Sequence, residues 1–346
     1  MEEDIGRLSA VTDYNDYSDI PPWTMSPVGI CEKEDIKTFV TSYMSTIFYI
    51  LFCISVLGNS VILVILFRKE KLQSVTNIYI LNLVVSDSLF SITLPFTAAD
   101  HSYTWIFGRS LCKLNIAAFY IGFQSFVIFI TLTTIDQYFT IVHSWSTSSR
   151  LRVRYAVCIS CMAWVISIIL SIPDVISYTV IITDFGVAVC EFSSFFGDQT
   201  HLWLSIGHYK HFIVFYLGPL SIIIFCYSRI VVKLAKSNLR KKSRALKVIF
   251  LIASLFFLCW TPYNILMFLM FKKHIELYAE CNNVLQYIFH ISQTTVYVHC
   301  CLNPFLYAFL GTKFRRHLKC SFKRRTSKYI AQQQEISLKT TLPNGI

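Results

Sequence analysis

Charged residues are scarce in this sequence: they make up 15% of its 346 residues, whereas soluble proteins average about 25%. Hydrophobic residues make up 54%, and the mean hydropathy is +0.53. The first 39 residues also lack the apolar stretch of a cleavable signal peptide, so we expect the first apolar run to direct its own insertion. The scarcity of charge argues against a soluble domain and predicts a membrane protein.

Seven apolar runs are long enough to cross a bilayer, which takes roughly 20 residues. Hydrocarbon offers no hydrogen-bond partner to the backbone, so each run is predicted to be a helix. We therefore expect an all-α integral membrane protein with a seven-helix bundle. The runs are 40–67, 76–99, 111–142, 155–173, 205–232, 246–270 and 285–310.

The formal net charge of +11 is unevenly distributed. Residues 1–40 carry nine acids and three bases, whereas residues 229–247 carry eight bases and no acid. Basic segments next to spanning helices stay in the cytosol, so we expect the N-terminus outside the cell and the C-terminus inside. Because the basic clusters are short and adjoin apolar runs, the lipid bilayer rather than nucleic acid is the expected partner.

Further absences argue against other membrane functions. A transporter or channel should show internal repeats or a path of charges across the membrane, and neither is evident. A light receptor needs a lysine in its seventh span, and the run 285–310 contains none. No segment outside the spans is long enough to fold as an enzyme. We expect no enzymatic activity, no cofactor and no metal.

Of the twelve cysteines, most lie inside apolar runs, where free cysteines are common. Four fall in segments predicted to lie outside the cell, which is an oxidising compartment. An even number there predicts two disulfides, and the residue pattern leaves all three pairings open. These four are Cys31, Cys112, Cys190 and Cys281.

Polar residues inside the spans cost about 2.5–3.5 kcal/mol each when ionisable, so they predict function. Asp87 is such a residue, and we expect asparagines at comparable depth, Asn59 and Asn303, as its partners. Prolines remove a backbone hydrogen bond and kink a helix, which suits a conformational switch. The spans contain Pro95, Pro173, Pro219, Pro262 and Pro304.

Several short motifs in order resemble those of the rhodopsin-like (class A) G-protein-coupled receptors. They are GNS at 58–60, LNLVVSD at 81–87, Trp164, FYLGPL before Tyr227, CWTPYN at 259–264 and NPFLY at 303–307. A second set is similar to the chemokine receptors, nearest the CC and XC types. It comprises TLPF at 93–96, SLCK at 110–113, HCCLNPFLYAFLG at 299–311 and KFRRHL at 313–318.

This resemblance implies a ligand and a binding site. The ligand would be a basic chemokine, met by the acidic stretch DYNDYSD, in which Tyr14 and Tyr17 are candidate sulfation sites. The resemblance pairs Cys112 with Cys190, and Cys31 with Cys281. Family members often carry a glutamate where this chain has Gln293. The pocket would be lined by Thr97, Asp100, Tyr120, Tyr263, Gln286 and Gln293, with Asp100 and Glu191 replacing the missing charge.

On the cytosolic side the resemblance implies coupling to heterotrimeric G proteins, arrestin or both. The third helix of the family ends in D-R-Y, but this chain reads Asp136-Gln137-Tyr138. Glutamine is neutral and cannot neutralise Asp136, so we expect one resting lock to be lost. Two outcomes stay open: ligand-independent signalling, or a non-signalling decoy or scavenger receptor. Phe126, in place of a small polar residue, should also crowd out the sodium ion that commonly stabilises the resting state.

The remaining residues of this switch follow from the motifs. Tyr227 and Tyr307 are the expected active-state partners of the missing arginine. The proposed switch set is Asn59, Asp87, Asp136, Gln137, Tyr138, Pro219, Tyr227, Trp260, Pro262, Asn303, Pro304 and Tyr307.

The expected organisation has four parts. They are an acidic extracellular tail at 1–39, a bundle at 40–312, an amphipathic membrane-surface helix at 313–325 and a cytosolic tail at 326–346. Cys320 in the amphipathic helix is a candidate palmitoylation site. Isoleucine outnumbers leucine, 42 to 35. With the altered D-R-Y motif, this bias is the basis for a further hypothesis, a virus-encoded receptor.

Overall fold

The computed structural model describes residues 38–70, 74–102, 104–143, 149–183, 186–192, 200–236, 243–273 and 283–310. Within these residues the chain forms seven long helices and one short β-hairpin. The helices coincide in position with the seven apolar runs of the sequence. The prediction of an all-α bundle is therefore confirmed.

The helices are numbered α1 to α7 in chain order. α1 combines Phe39–Met44, Ser45–Ile65 and Leu66–Glu70; α2 combines Val75–Ser91 and Leu94–Ser102; α3 is Gly108–Val142; α4 is Ser149–Ser177. α5 combines Thr200–Tyr209, Lys210–Leu217 and Gly218–Ala235; α6 is Ser243–Lys273; α7 is Asn283–Leu310. The hairpin strands are β1, Tyr178–Ile182, and β2, Ala188–Phe192.

Six stretches of helix in the described residues are long and apolar enough to cross a membrane. They are Phe39–Arg68, Val75–Ser102, Gly108–Val142, Leu151–Ser177, Ser205–Ala235 and Leu246–Leu269. α7 carries more polar side chains, among them His290, His299 and Asn303, and it is not one of the six. Large apolar side chains such as Leu57 and Leu258 face outward, 70% and 67% exposed, as lipid-facing residues do.

The longest helix, α3, packs against α2, α4, α5 and α6 and so forms the centre of the bundle. α7 packs against α6, α1 and α2 and closes the other side. This arrangement brings the polar residues of α2, α3 and α7 into one interior, which is where a switch can act on several helices together.

The packing explains why two of the sequence motifs contain the residues they do. Trp164 of α4 donates its indole N–H to Asn82 Oδ1 of α2 at 2.8 Å, and Asn82 donates to Ser160 at 3.2 Å. Gly58 lies against Pro304, and a Cβ at Gly58 would be 2.7 Å from the proline Cβ. Any larger residue at Gly58 would force α1 and α7 apart.

Several of the span prolines lie inside helices, and one follows a π-helical stretch. Pro173, Pro262 and Pro304 lie inside α4, α6 and α7. In α5 the stretch Lys210–Leu217 is π-helical and ends directly before Gly218 and Pro219. Proline has no backbone N–H, so a wider turn before it is expected, and such turns recur at functional sites.

Candidate functional site

A disulfide between Cys112 and Cys190 closes one end of the bundle, which the charge distribution predicts to be the outer end. Cys112 is fully buried near the start of α3, and the two Cα atoms are 5.7 Å apart. Cys190 lies on β2, opposite Val180 of the antiparallel partner strand. Trp105 N–H also donates to Ala188 O at 2.7 Å. The predicted Cys112–Cys190 pair is confirmed, and it fixes the hairpin to the start of α3.

Two predicted ligand-binding acids lie on either side of this disulfide. Asp100, near the outer end of α2, accepts a hydrogen bond from the Cys190 backbone. Glu191 follows Cys190 on β2 and interacts electrostatically with Tyr178 on β1. Burial raises the pKa of Tyr178 to about 12, so its hydroxyl remains protonated. The mouth of the bundle therefore has an acidic character.

Gln293 of α7 lies between two histidines rather than beside an acid. His101 of α2 and His290 of α7 both have hydrogen-bonding contact with its side chain. Tyr263 of α6 lies near Phe289, with ring centroids 6.2 Å apart, and Gln286 is half-buried. This side of the predicted pocket is thus polar but carries no carboxylate among these residues.

The opposite wall contains an ionic cluster that the motifs did not point to. Lys210 Nζ of α5 donates to Asp174 Oδ2 at 2.5 Å and to Leu170 O at 2.9 Å, while His211 Nε2 lies 3.3 Å from Asp174 Oδ1. The His211 ring stacks on the predicted ligand residue Tyr120, with centroids 4.8 Å apart. The available sequence signal was a Lys-His pair inside the fifth apolar run and an acid directly after Pro173.

Aromatic rings connect the pocket to the interior. Tyr263 lies 6.4 Å from Trp260, which stacks on Phe123 at 4.1 Å. Trp260 in turn lies 5.5 Å from Phe256, and Phe256 lies 5.4 Å from the ring of His299. Because side chains in a packed core cannot move independently, displacement of Trp260 by a ligand would be passed to α7.

Asp87 is only 1% exposed and makes one short contact with α7. Asn303 Nδ2 donates to Asp87 Oδ2 at 2.7 Å, and His299 Nε2 lies 3.7 Å from Asp87 Oδ1. Asn59 differs from the expectation, because its amide donates to Ser55 Oγ at 3.0 Å and to the Cys300 carbonyl at 3.4 Å. The GNS asparagine therefore joins α1 to the α7 backbone instead of serving Asp87.

Phe126 fills the space on the α3 side of this acid. Its side chain is 1% exposed, and its ring lies 5.3 Å from His299 and 5.1 Å from Phe256. The neighbouring Ser125 is engaged with Ser86 at 2.7 Å. A sodium ion needs several oxygen ligands, whereas here the Asn303 amide nitrogen bonds one Asp87 oxygen, the His299 ring faces the other, and Phe126 packs against that imidazole. These residues do not fit the ion.

One expectation is wrong at the other end of α3, which the charge distribution predicts to face the cytosol. Asp136 does not lack a cation: Arg152 Nη2 of α4 donates to its Oδ1 at 2.9 Å and to Thr140 Oγ1 at 3.0 Å. Gln137 turns to α2 and donates to Thr76 Oγ1 at 3.4 Å. Tyr138 turns to α5, where its ring lies 5.9 Å from Phe225. The sequence did not indicate Arg152 as the partner of Asp136, because Arg152 lies in a short basic segment of the kind that commonly flanks a membrane span.

The other switch residues lie where the bundle closes. Tyr227 is buried beside Thr134 of α3, and Tyr307 is buried near Asp87. Several predicted sites fall outside the described residues: Tyr14, Tyr17, Cys31, Cys281, Cys320 and the amphipathic helix at 313–325. Their roles, and the pairing of Cys31 with Cys281, stay predictions.

This fold and this arrangement of helices define a class of protein. The family profile described as 7 transmembrane receptor (rhodopsin family) matches residues 58–307. The match covers well over half of the 346 residues. The chain therefore belongs to the rhodopsin family of seven-transmembrane receptors, which are receptors and not enzymes.

Several relatives within that family are chemokine receptors. Human C-C chemokine receptor type 4 is 35% identical over 295 residues, which are 85% of this chain and 81% of the receptor. Human chemokine XC receptor 1 is 36% identical over 291 residues, 84% of each chain. Human C-C chemokine receptor type 8 is 33% identical over 331 residues, 94% of this chain and 90% of the receptor. The chain is thus a chemokine-receptor-like, multi-pass protein of the plasma membrane.

Proposed function

We propose that this protein binds a basic chemokine at its outer end and signals through heterotrimeric G proteins at its cytosolic end, with its N-terminus outside the cell. The observation that carries the proposal is the position of Asp100 and Glu191 beside Cys190. Two acids held at the mouth by a disulfide-linked hairpin suit a basic ligand, because complementary charge speeds and orients its encounter.

The acidic tail adds to this surface. Residues 1–40 carry six more acids than bases, nine against three. Sulfation of Tyr14 and Tyr17 would add negative charge and strong hydrogen-bond acceptors for lysine and arginine. In the proposed sequence of events, the tail captures the chemokine and the inner pocket responds to the segment that enters it.

The response would reach the cytosol through α6 and α7. Trp260, Phe256 and His299 form adjoining rings above the Asp87–Asn303 bond. The column is continuous, because each ring lies against the next. Movement at Trp260 would change the balance between resting and active conformations, which differ in population rather than in kind.

A second candidate function is supported by one specific residue. Gln137 replaces an arginine that, by resemblance, braces the G protein in the active state. A glutamine side chain offers two donors where arginine offers five, and it is neutral. Its contact with Thr76 also turns it toward α2. The alternative is a chemokine-binding decoy or scavenger that internalises its ligand, with arrestin as the cytosolic partner.

One experiment tests both functions. Cells that express the full chain are screened for binding to a panel of labelled chemokines, and any ligand found is then used in two assays. Ligand-stimulated nucleotide exchange on the G protein would support the signalling receptor. Depletion of the chemokine from the medium without exchange would support the decoy. The absence of binding to every chemokine in a complete panel, at verified surface expression, would contradict both.

A further inference from the structure

The last turns of α3 make polar side-chain contacts with two neighbouring helices, α4 and α2. Asp136 and Thr140 are four residues apart, so they lie on one face of the helix. Arg152 of α4 contacts both of them through the same nitrogen, at 2.9 Å and 3.0 Å. Gln137 faces Thr76 of α2. The rotation of the α3 end is therefore fixed by side chains from two helices.

The two contacts differ greatly in strength. The Gln137 bond is 3.4 Å long and joins two neutral groups, which makes it weak. The Arg152 contact joins opposite charges and adds a hydroxyl acceptor, and charge-assisted hydrogen bonds are about twice as strong as neutral ones. Arg152 is the cation within ion-pair distance of Asp136 in the described part of the chain. The rotation of α3 thus depends chiefly on Arg152.

The exposure of this pair suits a contact that opens and closes. The Arg152 and Asp136 side chains are 31% and 20% exposed. Water can reach both groups, so separating them does not leave a charge stranded in an apolar interior. The pair is strong enough to favour one orientation of α3 and weak enough to be broken during activation.

We propose that Arg152 is a positioning residue that holds the cytosolic end of α3 in its resting orientation, replacing from α4 the lock that the D-R-Y arginine would form within α3. The proposal rests on the receptor function proposed above. An ion pair inside one helix does not tie that helix to a neighbour, but the Asp136–Arg152 pair ties α3 to α4. When it opens, the last turns of α3 can rotate and Gln137 can leave Thr76.

The test uses the purified full-length protein in lipid nanodiscs and cells at matched surface expression. Arg152→Gln removes the charge and keeps a polar side chain. Asp136→Asn removes the other partner, and Asp136→Arg with Arg152→Asp exchanges them. Arg154→Gln is the matched control, because Arg154 is an exposed arginine on the same helix. Two readouts are measured: basal nucleotide exchange, and amide hydrogen exchange of residues 136–143.

We expect Arg152→Gln and Asp136→Asn each to raise basal nucleotide exchange roughly two- to fivefold, because a partly exposed ion pair shifts a two-state balance by about that factor. Both should speed amide exchange in 136–143, and chemokine affinity should change far less than basal activity. The exchanged pair should recover much of the amide protection, and Arg154→Gln should behave as the parent.

Amide exchange needs neither ligand nor G protein, so it tests the α3–α4 lock even if the chain proves to be a decoy. Unchanged amide exchange in Arg152→Gln would overturn the proposal. A fall in basal signalling would overturn it as well, because the pair would then support the active state. Failure of the exchanged pair to restore protection, with both single variants altered, would show that the charges do not act on each other.

Discussion

The two ends of the bundle each hold an aspartate in an ion pair, but in different ways. At the outer end, Asp174 of α4 is 10% exposed and meets both Lys210 and His211 from α5. At the predicted cytosolic end, Asp136 of α3 is 20% exposed, and among the described residues Arg152 is its ion-pair partner. A more deeply buried charge costs more to leave unpaired. The outer cluster is therefore suited to hold helices together, and the cytosolic pair is suited to open.

Disulfide bonding also differs between the two ends of the bundle. The outer end carries the Cys112–Cys190 disulfide between α3 and the hairpin. The described cysteines of the inner half, such as Cys226 and Cys300, are free. A receptor with a fixed outer frame and a loosely tied cytosolic end can respond to a ligand without losing its fold.

The largest expected effect breaks the outer frame. Cys112→Ala should abolish surface expression or ligand binding, because loss of a native disulfide typically costs about 2–5 kcal/mol and here also frees the hairpin over the pocket. Surface labelling and chemokine binding on intact cells measure it. Cys31→Ala is the comparison, and it should weaken binding with a milder folding defect. Normal binding by the Cys112 variant would contradict the fixed outer frame.

A direct test of the comparison replaces each aspartate by asparagine. Asp174→Asn should lower the free energy of unfolding by about 2–3 kcal/mol, because Lys210, whose side chain is 17% exposed, and His211 both lose their acid. Asp136→Asn should cost about 1 kcal/mol or less, because Arg152 is partly in water. Thermal unfolding of both variants in the same nanodiscs measures the difference. Equal destabilisation would mean that the two ends do not differ as described.

Both the spans and one disulfide could be predicted from the sequence, though on different grounds. Membrane helices need long apolar runs, so the runs predicted all seven helices, although α7 is less apolar than the six that qualify as spans by length and composition. The Cys112–Cys190 pair followed from the resemblance. Asn303 beside Asp87 could be expected because an amide is the natural partner of a buried acid at the same depth.

Partners on different helices were not visible in the same way. Arg152 and Asp136 are sixteen residues apart and meet only because α3 and α4 pack side by side. Asp174 and His211 likewise lie on helices whose rotation no single span specifies. For Asn59 the predicted depth in the membrane was right, but its side chain bonds Ser55 instead of Asp87. Hydropathy predicts how deep a residue lies in the membrane, whereas the packing of the helices sets which neighbour its side chain faces.

Gln137→Arg tests whether an arginine at this position strengthens ligand-evoked signalling. We expect ligand-evoked nucleotide exchange to rise by roughly a decade. By resemblance, an arginine here would contact Tyr227 and Tyr307 in the active state, and a charge-assisted bond contributes about 1.5–3 kcal/mol. Basal exchange should change little, since Asp136 already has Arg152. Gln137→Lys, a charge without the planar fork, is the control. An unchanged ligand response would mean that the glutamine is a tolerated substitution.

Phe126→Ser tests the interior between the two ends. Removal of the ring should open space beside Asp87 and supply a hydroxyl oxygen, so sodium should lower chemokine affinity about threefold or more. Binding is compared in sodium chloride and in an organic-cation chloride at equal ionic strength. Phe129→Ser is the matched control, since Phe129 is equally buried but packs against Trp164. Equal sodium effects in the parent and in Phe126→Ser would contradict the role given to the ring.

The smallest expected effect concerns the acidic tail at the outer end. Replacing Tyr14 and Tyr17 by phenylalanine removes the sulfation sites, and affinity for a basic chemokine should fall several-fold at low salt. Near 1 M salt the screening length shortens to about 3 Å, so the difference between variant and parent should nearly vanish. Tyr43→Phe, at an exposed tyrosine without acidic neighbours, is the control. A loss that persists at high salt would point to packing rather than charge, and equal affinities at low salt would leave the tail outside the binding site. Either result would confine recognition to the disulfide-fixed mouth, where Asp100 and Glu191 would then supply the charge alone.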